Sequence, residues 1–119
     1  MTKRSVIGKL AVSVVAAATT YVFMINLCNL VFQCGCRSMW AGMADHCNIH
    51  TPGARHCPWC SHGQIGYSTV LALVLIPQFL VSWLPGPWGW RTRLGTALFL
   101  FPVVGSLIGL VMGWWEGYW

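Results

Sequence analysis

Six cysteines and four histidines stand out in this 119-residue chain, and all but one of them fall between Cys34 and His62. Cys47-x2-His50 and Cys57-x2-Cys60 form two chelating pairs, with Pro52 and Gly53 in the turn between them. A two-residue spacing lets a tight turn bring both side chains onto one ion at about 2.0–2.3 Å, and three cysteines with one histidine make a standard structural zinc set. Cys34 and Cys36 supply a further thiolate pair that can replace the Cys47/His50 half, leaving His46, His50, His56 and His62 for a second ion. If residues 39–50 were helical, His46 and His50 would share a face suited to one metal. The expected ligands are therefore Cys47, His50, Cys57 and Cys60, with Cys34, Cys36, His46, His56 and His62 as further candidates. Zinc is the first expectation; copper and iron suit the same ligand types.

Thiol chemistry is the alternative use of these residues. On an oxidising face cysteines pair, and Cys57-Pro58-Trp59-Cys60 locally resembles the dithiol of the disulfide oxidoreductases, with His56 placed to favour a thiolate at Cys57. The βαβ pattern that normally carries such a dithiol is missing. Membrane oxidoreductases of the vitamin K epoxide reductase kind use a bundle of four or more helices, and this chain offers three apolar runs. A third option is a loop stapled only by structural disulfides, with one cysteine left over. Haem attachment through Cys-x-x-Cys-His is spoiled by Ser61 before His62. The Rieske pattern is not reproduced. Cys28 lies alone in an apolar run and is expected to be a small buried hydrophobe. Transport of a soft metal across the membrane would need a second intramembrane cysteine to receive it.

What must position these residues is a set of membrane helices. With 56% hydrophobic and 8% charged residues, the chain is far from the usual soluble balance of about 25% charged. Three runs reach the roughly 20 apolar residues that a spanning helix needs: 7–32, 65–84 and 94–115. Only Lys9 among them is charged. The expected fold is an all-α membrane protein with three transmembrane helices in one domain, 1–119, and a Cys/His-rich extracytoplasmic loop, 34–64, between helices 1 and 2. The first run is longer than a signal-peptide core of about 7–15 residues, so it reads as an uncleaved anchor.

The positive-inside rule orients the chain. Lys3, Arg4, Lys9, Arg91 and Arg93 fall on one side, against Arg37 and Arg55 on the other. This predicts a cytoplasmic N-terminus in a bacterial-type inner membrane, with the loop and the C-terminus outside. Residues 85–93 become a cytoplasmic turn, and most tryptophans sit at the interfaces. Gly105, Gly109 and Gly113 form a contact stripe for another helix, matched on the first helix by Gly8, Ala16 and Thr20. Pro77 and Pro102 lie inside spans and should kink them. Asn26, Asn29 and Gln33 share a face and should point into the bundle or up at the loop.

The basic residues follow topology and do not cluster, so nucleic-acid binding has no footprint. Asp45 and Glu116 are too far apart in sequence to suggest a carboxylate pair, and no phosphate loop is present. The expected function is that of a small accessory subunit of a larger membrane complex, in contact with lipid and protein partners. Its loop holds a structural metal ion, and catalysis is not its expected role. The alternative is a periplasmic-facing thiol-disulfide oxidoreductase using Cys57 and Cys60.

Overall fold

A computed structural model describes residues 2–119 and turns each apolar run into a helix. α1 spans Lys3–Phe32, α2 is a single turn at Pro58–Ser61, α3 spans Gly63–Trp83 and α4 spans Trp90–Trp115. Two 3-10 turns, Met43–His46 and Asn48–His50, lie in the connection after α1. Among the described residues there is no strand. α1, α3 and α4 are each long and apolar enough to cross a membrane. The bundle is elongated, 57 × 29 × 21 Å.

The helix ends explain where the sequence-based bounds shift. α1 begins four residues before the apolar run because the Thr2 side chain accepts from the Ser5 N–H, an N-cap that hydropathy does not register. It ends where Gln33 turns left-handed, at φ 50°, and donates its N–H to the Asn29 carbonyl at 2.7 Å. α4 begins at Trp90, so Trp90–Arg93, expected in the turn, form its first helical turn instead. α3 and α4 run on through Pro77 and Pro102.

Each helix buries a row of residues four apart. α1 contributes Val12, Ala16, Thr20, Met24, Cys28 and Phe32; α3 contributes Val70, Val74, Gln78 and Ser82; α4 contributes Ala97, Gly105, Gly109 and Gly113. Rows at i±4 are the ridges that interdigitate in close helix packing. The glycine stripe is used inside the molecule. A Cβ at Gly105 would stand 2.5 Å from Leu27 Cδ2, one at Gly109 would stand 3.0 Å from Val31 and 3.3 Å from Trp59, and one at Gly113 would meet Trp119 and Phe32. The stripe's neighbours on α1 are Leu27, Val31 and Phe32 and not the expected Gly8, Ala16 and Thr20: Ala16 and Thr20 are buried elsewhere in the bundle, and nothing lies within 4 Å of a Cβ at Gly8. Outward-facing apolar side chains such as Leu30, Ile65, Phe99 and Leu107 are exposed along the helices, a surface that suits lipid rather than water.

Two polar devices hold the bundle. Midway along it, Thr20 donates to Gln78 Oε1 at 2.9 Å, and Gln78 Nε2 donates to the Ala97 carbonyl at 2.8 Å, tying all three long helices together. At the end of α3, the buried Arg93 guanidinium donates to the carbonyls of Val81, Ser82, Leu84, Gly86 and Trp88 at 2.7–3.4 Å. The last carbonyls of a helix have no partner within it, and a cation is the favoured group at that negative end. Lys9 sits close by with its Nζ 5.9 Å from the Trp83 ring centroid, buried against the aromatic face.

Candidate metal centre

The opposite end of the bundle is built around sulfur. Cys28 projects from the last turns of α1, on the same row that buries Met24 and Phe32. Beyond Gln33 the chain is irregular, and Cys34 and Cys36 are both buried while Gly35 between them is exposed. Gly35 has φ +87°, and a Cβ there would lie 2.6 Å from the His46 carbonyl oxygen. Only glycine tolerates both conditions. Cys47 separates the two 3-10 turns, and Cys57 and Cys60 bracket Pro58 and Trp59 at the start of α2.

All six cysteines are free thiols, and all but Cys60 are buried. Their sulfurs form four groups of three, each with every sulfur within 4.8 Å of the others: Cys28/Cys57/Cys60, Cys28/Cys34/Cys36, Cys34/Cys47/Cys57 and Cys36/Cys47/Cys60. The closest approaches are Cys28–Cys57 at 3.2 Å, Cys28–Cys34 at 3.7 Å and Cys36–Cys60 at 3.9 Å. None of these is a disulfide. Hydrogen bonding from the Cys28 thiol is the largest influence holding Cys34 and Cys60 below the ordinary thiol range. Burial pushes Cys47 up to about 11.

Hydrogen bonds around the sulfurs fix the loop. Asn48 is the hub: its N–H donates to the Cys34 carbonyl at 2.7 Å, its Oδ1 accepts the Cys57 N–H at 2.8 Å, and its Nδ2 donates to the Tyr118 hydroxyl at 2.9 Å. Tyr118 passes the connection on by donating to the Phe32 carbonyl at 2.6 Å. Arg55 donates to the Tyr118 carbonyl, and His62 pairs with Glu116. Phe32 is packed edge-on against Trp59 and Tyr118 and stacked with Trp119, so the C-terminal segment closes over the end of α1. Asn26 donates to Ser38 at 2.8 Å and Asn29 accepts the Gly35 N–H at 2.9 Å. Both reach up to the loop, as their shared face suggested.

The expected ligands divide sharply. Cys34, Cys36, Cys47, Cys57 and Cys60 converge, and Cys28, read from the sequence as an inert hydrophobe, joins two of the four groups. The histidines do not converge with them. His46, His50, His56 and His62 are exposed and none belongs to a sulfur group. His50 Nε2 lies 3.1 Å from the Ala44 carbonyl. Because Cys47 interrupts the two 3-10 turns, His46 and His50 do not share an α-helical face. Asn48 and Tyr118 had no sequence signal, since their roles depend on contacts with Cys57 and Phe32 far along the chain.

Chemically, the arrangement is a largely buried, all-sulfur cage. Cys60 opens on a groove of about 340 Å³ lined also by Tyr21, Ile25, Met39, Met43 and Tyr67. Thiolates and thioethers together select soft metals. Set beside family models, curated proteins and solved structures, the chain matches none, so the reading of this centre rests on its own geometry.

Proposed function

We propose that this chain is an integral membrane protein whose three-helix bundle carries an all-cysteine centre for a soft metal, which locks the loop between α1 and α3. The observation that carries this reading is the convergence of all six cysteines in one buried cluster with no disulfide. A loop this short cannot build a core of its own, and metal coordination is a common substitute. The cysteine end lies opposite the end that holds Lys3, Arg4, Lys9, Arg91 and Arg93. The positive-inside rule therefore favours an extracytoplasmic cage in a bacterial-type inner membrane, with both termini placed accordingly.

Zinc is supported by the ligand type but prefers four donors. The four-ligand set of Cys47, His50, Cys57 and Cys60 draws less support than the sulfurs alone, because His50 stands apart. The thiol-disulfide alternative needs a dithiol that a partner can reach, and Cys57 is 0% exposed. With the glycine stripe occupied by α1 and the C-terminal segment, the role of accessory subunit rests on the small extramembrane mass and the broad apolar exterior.

Elemental analysis of the detergent-purified chain, with thiols counted before and after chelation, tests the metal reading. Tightly held metal, and thiols that become titratable only after chelation, are expected. A metal-free protein with most loop cysteines oxidised would overturn it.

A further inference from the structure

Taken together, the sulfur groups define a closed cage. Every cysteine belongs to two of them, and any two groups share one cysteine: Cys28, Cys57, Cys60, Cys34, Cys36 and Cys47 each serve as the link between a different pair. Cys28 never shares a group with Cys47, nor Cys34 with Cys60, nor Cys36 with Cys57. The twelve pairs within 4.8 Å are the edges of an octahedron of sulfurs, and all eight of its faces, Cys28/Cys34/Cys57 among them, meet the same distance. Four metals on alternate faces would each have three thiolates, and every thiolate would bridge two metals.

From this we propose that the centre is a tetranuclear copper(I) cluster bridged by six cysteine thiolates. The inference rests on the soft-metal reading above and specifies the metal, its number and its coordination. Copper(I) accepts three thiolates in a plane. At a metal–sulfur distance of about 2.3 Å, the zinc–thiolate value, a planar three-sulfur site spaces its sulfurs about 4.0 Å apart. The spacings of 3.7 and 3.9 Å and the 4.8 Å bound on each group are close to this, while Cys28 and Cys57, at 3.2 Å, would have to move apart to hold a metal between them. Zinc would want a fourth ligand at each face, and the exposed histidines do not supply one. An iron–sulfur cluster would place inorganic sulfides between the metals and hold cysteine sulfurs farther apart. Met39 and Met43 line the groove that reaches Cys60, the one cysteine that is not fully buried. Thioethers there provide a soft-ligand approach for copper. Filling is a ligand exchange without electron transfer: four copper(I) ions replace six thiol protons, which leave to solvent, and the cage retains two negative charges.

The test loads the anaerobically purified full chain in detergent with copper(I) held by a copper(I)-selective chelator, with zinc loading in parallel. Native mass spectrometry counts the metal, and X-ray absorption reads its neighbours. The expected result is four coppers per chain taken up cooperatively, three sulfur neighbours each, and a short copper–copper distance. Cys28→Ser opens two of the four faces and is expected to leave two coppers. Wild-type protein that stops at one or two ions in four-coordinate sites, copper or zinc, overturns the cluster and leaves a soft-metal centre standing. Failure to retain either metal overturns both. Should Cys28→Ser not fold, the wild-type count and copper–copper distance still decide.

Discussion

Asn48 shows how one uncharged side chain can govern a site it does not ligate. It joins the segment at Cys34, the Cys57 turn and Tyr118 through three hydrogen bonds. Asn48→Ala leaves the Cys57 N–H without its acceptor, a loss of about 1–3 kcal/mol for a buried group. The metal-free protein should unfold at lower temperature, and bound metal should pass to a competing chelator sooner. Asn48→Asp keeps the acceptor for Cys57 but not the donor to Tyr118, so it should recover part of the loss. Thermal melts and chelator competition on the two variants check this, and equal behaviour of Ala and Asp would dismiss the Cys57 bond as the important one. At this scale the sequence was legible in its chemistry and misleading in its geography. The five loop cysteines announce a centre by density alone. The histidines are all exposed, and His46 and His50 lose their shared face because the loop folds there as two short turns broken at Cys47. Cys28 was hidden by its apolar neighbours. Its signal was its place on the row Val12, Ala16, Thr20, Met24, Cys28, Phe32, at the end of the helix that meets the cysteine loop.

Among the helices, backbone proximity outweighs hydrogen bonding. Gly109 has Val31, Trp59 and Phe32 within 3.5 Å of where a Cβ would stand, whereas Gly95 on the same helix has nothing within 4 Å. Gly109→Leu should therefore prevent α4 from docking and lower stability by several kcal/mol, on the order expected for overpacking or worse, while Gly95→Leu should be nearly silent. Gln78→Leu removes the bonds to Thr20 and Ala97. Interhelical bonds in membranes average about 0.6 kcal/mol each, so its cost should be near 1 kcal/mol. Unfolding in mixed micelles with a denaturing detergent ranks the three. A Gln78 variant weaker than the Gly109 variant would reverse the order argued here. The helices were legible from hydropathy because each run is uniformly apolar. Their first turns were not, because Lys3, Arg4, Arg91 and Arg93 look like loop to a hydropathy window, although the N-cap at Thr2 and the Arg93 bonds to the end of α3 hold them in helices.

Over the whole molecule, charge and sulfur occupy opposite ends. The buried Arg93 is committed to the carbonyls of the α3–α4 turn, so it contributes positive charge to that end and holds its shape at once. Cysteine-accessibility labelling of intact cells, applied to single cysteines introduced at Thr2 and Gly117, should place the first inside and the second outside. A protected Gly117 site with a reactive Thr2 site would invert the orientation and put the cage in a reducing compartment. Replacing Arg91 alone should leave the orientation unchanged, since Lys3, Arg4 and Lys9 still mark the same side.

The clasp formed by Tyr118 and Trp119 over Phe32 also implies an order of assembly. Every sulfur of the cage belongs to residues 28–60, ahead of α3 and α4, while Tyr118 and Trp119, which close over Phe32, follow α4. A growing chain thus possesses all its thiols for the time needed to synthesise two more helices before the clasp over Phe32 can shut. During that interval the unfinished protein is a polythiol, and its thiols must stay reduced until α4 arrives if the cage is to form.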